Sequence, residues 1–417
     1  MRDTLSLLSG RNFAYLFFGR CVSFLGNAMA PVALAFAVLH LTDSASALGV
    51  VLAARMAPNV VFLLVGGIIS DRLPRHVVLV GSNLVAGGSQ AAVAFLLISG
   101  AAEVWHLVAL EAVNGAASAV FYPADTSVVP LTVPEHRLQQ ANAFLRLGAN
   151  LTMIGGAAVA GLSVAIFNPG WTIALDAATF FVAAALLSQM CGIRAAAGKG
   201  ASVFAELREG WAEFTAHRWL WTIVIQFTVV LIGFFGAFLV LGPVVAERDF
   251  GGAGSWAAIL AGQSIGFMGG GFVALRWRPG RPILMGTLSV FGNALPIAAL
   301  ALSLPLPVIV GAALVNGLGM ELFSVFWYTA LHEHVAPEAL SRVSAYDALG
   351  SVALSPVGLV AAGPLSDAIG VDATLWAGAV LIVVPTALVL LVPEVRSLQS
   401  KRPAVEIPAA PLGVAEA

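Results

Sequence analysis

Charged residues and cysteines are both scarce in this sequence. Only 10% of the 417 residues are Asp, Glu, Lys or Arg, whereas soluble domains carry about 25%. The net charge of -2 leaves no basic surplus, so we expect no nucleic-acid partner. Cys21 and Cys191 lie far apart in apolar runs, which predicts neither a disulfide framework nor a metal site. No H-E-x-x-H and no phosphate loop is present, so we expect neither an enzyme nor a resident cofactor.

Long apolar runs dominate what remains. Hydrophobic residues make up 59% of the chain, and they fall into runs of about 20, long enough for a helix to cross roughly 30 Å of hydrocarbon. A membrane barrel would need short alternating segments instead. The sequence therefore predicts an all-α integral membrane protein of twelve transmembrane helices in two six-helix bundles. The predicted helices are 12–39, 46–69, 77–99, 104–129, 141–167, 170–191, 219–245, 255–275, 283–303, 305–330, 343–368 and 372–393.

The basic residues orient these helices, because Lys and Arg are enriched in cytoplasmic loops. Of the 20 Lys and Arg residues, only Arg248 falls in a loop on the opposite side. Arg20, Arg55 and Arg146 lie inside predicted helices. We therefore expect a multi-pass protein of the plasma (inner) membrane with both termini in the cytoplasm.

Four regions follow from this count. Residues 1–191 form an N-terminal bundle and 219–393 a C-terminal bundle. Between them, 192–218 alternates apolar and charged residues at helical spacing, which predicts an amphipathic helix at the cytoplasmic surface. The tail, 394–417, is rich in Pro and Ala and is predicted to be a disordered cytoplasmic segment.

The two bundles share a weak internal repeat. The tripeptide VNG occurs at 113–115 and again at 315–317, and the dipeptide LG occurs at 147–148 and 349–350, both with a spacing of 202 residues. The repeat also sets Gln226 and Gln263 where the first half has Arg20 and Arg55. Parallel repeats of this kind are typical of carriers whose binding site lies between the halves. We expect Gln226, Gln263 and Asn316 to give the second half a neutral polar lining.

The short loop after the second predicted helix reads VGGIISDRLPRH, from Val65 to His76. Its pattern of Gly67, Asp71, Arg72 and Arg75 closely resembles the loop signature of the major facilitator superfamily. Further stretches resemble the macrolide-efflux and enterobactin-exporter branch of that superfamily: RNFAYLFFGRCVSFLGNAM, SASALGVVLAARMAP, VPEHRLQQANAF and VGLVAAGPLSDAIG.

The resemblance implies the major facilitator fold and a latch role for Asp71 against helix 11. Physically, Gly67 allows close helix approach, and Asp71 can attract the positive end of a neighbouring helix dipole. Alternatively, Arg72 and Arg75 only enforce topology. Helix 5 carries MIGGAAVAG, which resembles the antiporter signature of drug exporters except that Ala157 replaces a proline; plain helix contact is the alternative.

Ionisable residues within membrane helices are costly and point to function. Helix 1 carries Arg20 and Asn27 on one stripe, although Arg20 could instead extend to the interface. Arg55 lies near mid-membrane, and Glu111 on helix 4 is its expected partner. The pair either responds to substrate or is a static structural contact.

Helices 4 and 10 present similar polar faces. Asn114 and Tyr122 follow Glu111 on helix 4, while Glu321 and Tyr328 share a face of helix 10. The sequence of the second half offers no clear cationic partner for Glu321, and an unpaired buried carboxylate suits a proton carrier. Asp347, near the start of helix 11, is a second carrier candidate or a helix cap. Asp176 of helix 6 is assigned a structural role.

These observations predict a secondary active transporter. The first hypothesis is a proton-coupled exporter of a small amphipathic molecule such as a drug, antibiotic or siderophore, working by alternating access as a monomer. Aromatic residues of the expected cavity suit a large, partly apolar substrate; they are Phe24, Tyr122, Trp327 and Tyr328. An importer of a small polar solute is the near alternative, and a membrane sensor or enzyme the distant one.

Overall fold

The chain is helical throughout the part that can be described. The computed structural model describes residues 6–190 and 211–401, apart from the side chains of 63–72 and of residues 135, 139, 154, 157, 165, 337, 338 and 341. Twelve helices in these residues are long and apolar enough to cross a membrane. The predicted all-α membrane fold with twelve spanning helices is confirmed.

The first half contains six of these helices. They are α1 (Arg11–Thr42), α2 (Ala45–Arg72), α3 (Arg75–Ser99), α4 (Val104–Val128), α5 (Leu138–Ile166) and α6 (Pro169–Ser188).

The second half contains the other six. They are α7 (Arg218–Phe250), α8 (Ala253–Arg276), α9 (Pro282–Ala301), α10 (Leu306–His334), α11 (Pro337–Val352 and Ser355–Ile369) and α12 (Val371–Val389).

Local sequence explains where the helices begin and end. Pro169 and Pro282 stand in the first turn of α6 and α9, where a missing N–H costs nothing. Asn168 caps α6 by accepting a hydrogen bond of 3.1 Å from the backbone N–H of Trp171. Gly100 ends α3 with φ of 73°, a left-handed conformation that glycine adopts without strain.

Two helices of the second half are irregular within the membrane. Residues Phe235–Val240 of α7 form a π-helical segment, which is a common local feature at functional sites. Helix α11 is interrupted between Val352 and Ser355, directly before Pro356, whose ring cannot continue an α-helix. Sequence periodicity had predicted both as continuous helices.

Both halves pack their helices in the same pattern. In the first half α2 packs on α4, and in the second half α8 packs on α10. A Cβ atom on Gly115 would overlap the carbonyl oxygen of Arg55, and one on Gly317 would overlap that of Gln263. The two VNG tripeptides therefore mark equivalent points of closest helix approach in the repeated bundles.

The structure describes little of the predicted linker helix but the first part of the predicted disordered tail. Most of the predicted amphipathic helix lies outside the described residues, although 211–216 are helical. The prediction of disorder is wrong for 394–401, because Pro393–Ser397 forms a short helix, α13, with Val395 fully buried. Glu394 anchors α13 by accepting a hydrogen bond of 3.0 Å from the backbone N–H of Trp219, in the first turn of α7.

Candidate functional site

The two halves meet at one side of the molecule. We call the side on which the described residues begin, at Ser6, and end, at Lys401, the termini side, and the opposite one the far side. At the far side, Ser46 Oγ of α2 donates a hydrogen bond of 3.0 Å to Asp367 Oδ2 of α11. His40 Nε2 of α1 lies 3.5 Å from Glu247 Oε1 of α7. These contacts join α1 and α2 of the first half to α7 and α11 of the second.

Glycines of α5 serve helix contact at two places. A Cβ on Gly156 would overlap Ala28 of α1, and a Cβ on Gly161 would overlap Ala257 of α8. Gly161 thus brings the halves together at the far side. The structure supports the packing interpretation of the helix 5 glycines that the sequence left open.

Toward the termini side, no helix of the first half packs against α10 or against the first segment of α11 within the described residues, and we infer a chamber between the halves there. Tyr122 of α4 is 50% exposed and Tyr328 of α10 is 51% exposed, although both lie on spanning helices. Arg146 of α5 is exposed, and its charge acts on Glu321 and Tyr328 of the other half. Side chains from both halves therefore face one another across this chamber.

A polar cluster in the first half surrounds Arg55. One guanidinium nitrogen of Arg55 lies 3.4 Å from Glu111 Oε2, and the other donates a hydrogen bond of 2.8 Å to Asn27 Oδ1. Gln90 Nε2 donates to Glu111 Oε1 at 3.0 Å. Glu111 is fully buried, while the side chain of Arg55 is 20% exposed. The pairing predicted from helical spacing is present, and Gln90 is a partner that the sequence did not indicate.

Arg20 has its own carboxylate. Its guanidinium lies 3.2 Å from Asp125 Oδ2 of α4 and 5.1 Å from the ring centroid of Phe24. The charges of Arg20 and Asp125 both act on the hydroxyl of Tyr122. Arg20 is therefore held within the bundle by an ion pair and a cation–π contact, and it does not extend to the membrane surface.

Two buried polar side chains of the first half have no hydrogen-bond partner among the described residues. Asn114 is fully buried on α4, and neither of its side-chain atoms is bonded. Asp176 of α6 is also fully buried, and both of its carboxylate oxygens are unbonded. The charges of Arg55 and Glu111 act on Asp176, so it belongs to the same electrostatic group. Sequence reasoning assigned Asp176 a structural role, because sixth helices of the fold that the sequence resembles usually pack outside the cavity.

The equivalent region of the second half is neutral. Gln263 Nε2 donates a hydrogen bond of 2.6 Å to Asn316 Oδ1, and Asn316 Nδ2 donates in turn to Asn293 Oδ1 of α9. Gln226, also predicted to line the cavity, does not do so. It is 4% exposed and donates to Thr386 Oγ1 of α12 at 2.9 Å, because this face of α7 packs on α12.

A second cavity lies among α7, α10 and α11. It measures about 290 Å³, and Asp347, Ser351 and Tyr328 are among its lining residues. The rings of Phe227 and Phe323 are stacked with centroids 4.8 Å apart. Together with Trp327, they form a continuous aromatic wall on one side of this cavity.

Asp347 supplies a carboxylate to that aromatic cavity. Trp327 Nε1 donates a hydrogen bond of 2.9 Å to Asp347 Oδ2, and Ser351 Oγ lies 3.4 Å from Oδ1. In the described part of the chain, no Arg, Lys or His pairs with Asp347. The capping role considered for it is wrong, because α11 begins at Pro337, well before Asp347.

The loop signature can be placed only in part. The side chains of Gly67, Asp71 and Arg72 lie outside the described residues. Arg75, at the start of α3, donates a hydrogen bond of 2.7 Å to the carbonyl oxygen of Ser127 near the end of α4. This contact ties α3 to α4 and places a cation where the helix dipole of α4 is negative.

Relatives of known name span almost the whole chain. A sequence model of the family described as Major Facilitator Superfamily matches residues 16–352. Macrolide efflux protein A of Streptococcus pyogenes is 24% identical over 93% of this chain and 98% of its own length. The multidrug efflux pump Tap of Mycobacterium tuberculosis H37Rv is 26% identical over 94% of this chain and 96% of its own length.

A solved structure shares the fold. The crystal structure of the nucleoside transporter NupG superposes with a TM-score of 0.72 at 14% identity, covering 93% of this chain and all of that one. At this identity the likeness bears on the fold alone.

Proposed function

We propose that this chain, which belongs to the Major Facilitator Superfamily, is a proton-coupled exporter of small amphipathic molecules. It is a multi-pass protein of the cell membrane with twelve spanning helices. Both named efflux relatives match it nearly end to end, which supports export of a drug-like compound. We further propose that it acts as a monomer and by alternating access.

One observation carries this proposal. The halves touch at the far side, while rare charged residues of both halves face an open chamber at the termini side. Basic residues concentrate at the termini side, so we assign that side to the cytoplasm. The structure then corresponds to a conformation open to the cytoplasm, from which an exporter loads its substrate.

The second-half cavity is the proposed substrate site. Stacked rings of Phe227, Phe323 and Trp327 offer flat apolar contact, and such walls suit aromatic or polycyclic molecules. The carboxylate of Asp347 lies beside Trp327 without a cationic partner. A protonated or quaternary amine on an amphipathic body would satisfy the carboxylate and the rings together.

Proton coupling is assigned to the buried carboxylates that face the chamber or its polar cluster. Glu321 is partly buried and faces the chamber, where, among the described residues, Arg146 of the other half acts on its charge. Glu111 shares its two oxygens between Arg55 and Gln90. Each can change protonation as the halves move, because an ionised carboxylate in the membrane requires a nearby cation or donor.

Transport into everted membrane vesicles tests the function. With the vesicle lumen acidified, vesicles that contain the protein should accumulate a macrolide antibiotic or a lipophilic amine against its gradient, and a protonophore should abolish this accumulation. Vesicles with the same amount of the inactive Asp347→Asn, Glu321→Gln double variant are the control. Movement in the opposite direction would support the importer alternative, and no movement of either probe would contradict the exporter proposal.

A further inference from the structure

Asp176 is a buried carboxylate that the functions assigned so far do not use. It lies in the middle of α6, a helix that packs against α1, α3 and α5. Its side chain is fully buried, and the backbone of α1 covers it so closely that a Cβ on Gly26 would overlap Asp176 Oδ1. The hydroxyl of the adjacent Thr179 is directed elsewhere, since it donates to the main-chain carbonyl of Asp176 at 2.6 Å.

The charges around Asp176 do not balance if it is ionised. Arg55 contributes one positive charge, whereas Glu111 and Asp176 would contribute two negative charges, all within range of one another. Arg55 is already engaged by Glu111 and Asn27, and neither oxygen of Asp176 receives a hydrogen bond in the described structure. A buried ion without a donor is very costly, so one carboxylate of this group must carry a proton.

The contacts identify which carboxylate that is. Glu111 accepts hydrogen bonds from both Arg55 and Gln90, and these donors stabilise its ionised form. The other helices around α6 bring no further charge to Asp176. The ionisable side chains of α1, α3 and α5 do not face Asp176. His40 of α1 lies at the far side beside Glu247, and the others lie toward the termini side: Arg11, Tyr15, Arg20 and Cys21 on α1, Arg75 and His76 on α3, and Arg146 on α5.

We propose that Asp176 is a proton-binding site, holding one exchangeable proton that leaves when Arg55 moves from Asn27 to the Asp176 carboxylate. This inference rests on the proposed proton-coupled export and names a residue that performs the coupling. On release, the O–H bond of the Asp176 carboxyl breaks, the electron pair stays on the carboxylate, and Arg55 supplies the hydrogen-bond donor that the ionised Asp176 otherwise lacks, so that the group of three carries one net negative charge. The proton passes to water, which a cavity of about 30 Å³ lined by Asn27 and by Phe180 of α6 is large enough to hold.

Asn27 links this exchange to the chamber. It holds Arg55 through a neutral amide oxygen at 2.8 Å, and it lines the small cavity together with Phe24 and Tyr122. A molecule that occupies this wall competes for Asn27 and frees Arg55. Since Arg55 then gains a second carboxylate to pair with, proton release accompanies occupancy of the chamber.

Infrared spectroscopy of the purified, substrate-free protein at neutral pH, in a maltoside detergent that has no ester carbonyl, tests the site. A protonated carboxylic acid has a C=O stretching band that an ionised carboxylate lacks. The wild-type protein should have such a band from Asp176, and Asp176→Asn should remove that band while any band from Glu321 or Asp347 stays. The matched control, Asp372→Asn, removes an exposed carboxylate that pairs with Arg248 and should leave the band unchanged.

A second variant tests the same site without altering Asp176. Glu111→Gln removes the carboxylate that engages Arg55, so Arg55 should pair with Asp176, and the band should again be lost. Persistence of the wild-type band in Asp176→Asn would overturn the inference, as would its persistence in a folded Glu111→Gln protein. The infrared result is independent of transport: a wild-type protein with the band but without macrolide efflux would count against the proposed function alone.

Discussion

Ser46 of α2 and Asp367 of α11 join the two halves of the molecule by a hydrogen bond of 3.0 Å at the far side. The neighbouring Gly363 of α11 is so close to Ser46 that a Cβ there would overlap it. Closure at this side therefore includes close contacts between small residues of the two halves. Such contacts can be broken and remade as the halves rock.

Removing that hydrogen bond should shift the protein toward the conformation open at the far side. Asp367→Asn weakens an exposed hydrogen bond worth about 0.5 kcal/mol, so the population of the opened state should rise roughly twofold. Distances between spin labels on the far-side ends of α2 and α11 would measure this, in a protein without Cys21 and Cys191. Ser99→Ala, which affects a bond within α3 only, is the control; equal distance distributions in Asp367→Asn and wild type would contradict the gate role.

Substituting the close-packed glycines should destabilise each half. Gly115→Ala sets a methyl group against the carbonyl oxygen of Arg55, and overpacking of this kind costs about 1–3 kcal/mol. Gly317→Ala should behave alike because it meets Gln263 in the same way. Gly88→Ala on α3 meets nothing within 4 Å and should be neutral or slightly stabilising. The melting temperature of each purified variant in detergent measures the effect. An equal Tm for Gly115→Ala and Gly88→Ala would contradict the proposed close packing at Gly115.

The Arg55–Glu111 pair can be assigned to coupling or to structure by a double substitution. Glu111→Gln alone breaks the ion pair and makes Arg55 take Asp176 as its partner, so it should cost less than the roughly 3–5 kcal/mol of an unpaired buried charge. Adding Arg55→Gln removes the displaced cation, lets Asp176 be protonated again and should restore most of the stability. If the pair takes part in coupling, the double variant stays unable to accumulate substrate against its gradient. Wild-type accumulation by the stable double variant would mean that the pair is a static contact.

Glu321 should be needed for proton-driven transport. Glu321→Gln keeps the shape of the side chain but cannot bind and release a proton, so accumulation driven by a pH gradient should fall at least tenfold while downhill movement continues. Glu333→Gln is the matched control, since Glu333 bonds Ser400 and the backbone of Lys401, away from the chamber. The rate of accumulation driven by a pH gradient and the rate of downhill movement would both be measured in proteoliposomes. A Glu321→Gln protein with normal uphill transport would exclude this carboxylate as a carrier.

The carboxylate of Asp347 should make the cavity among α7, α10 and α11 prefer positively charged ligands. Asp347→Asn removes a charge-assisted contact worth about 1.5–3 kcal/mol, so the affinity for benzyltriethylammonium should fall roughly 10- to 100-fold. The uncharged carbon analogue of this ion should bind the variant and the wild type alike. Ser351→Ala, which keeps the carboxylate and removes only the hydroxyl at 3.4 Å, should have a small effect. Equal losses for the cation and its neutral analogue would indicate altered packing rather than charge recognition.

Much of this architecture could be predicted from the sequence, because a bilayer imposes strong rules on composition. Runs of about 20 apolar residues define spanning helices, and the VNG repeat marks the two halves. Helical spacing also predicted that Arg55 and Glu111 would face one another, and their guanidinium and carboxylate lie 3.4 Å apart. The disordered tail was the weakest prediction, since composition does not indicate that Glu394 caps α7.

The sequence by itself determined the number and order of the helices, since hydrophobicity in a membrane acts locally along the chain. Only the tertiary structure decided which partner each rare polar group received. It paired Arg20 with Asp125, turned Gln226 toward α12 and left Asp176 without a donor. The physical reason is that the rotation and depth of each helix are fixed by packing against its neighbours, through glycines and small residues whose contacts are distant in sequence.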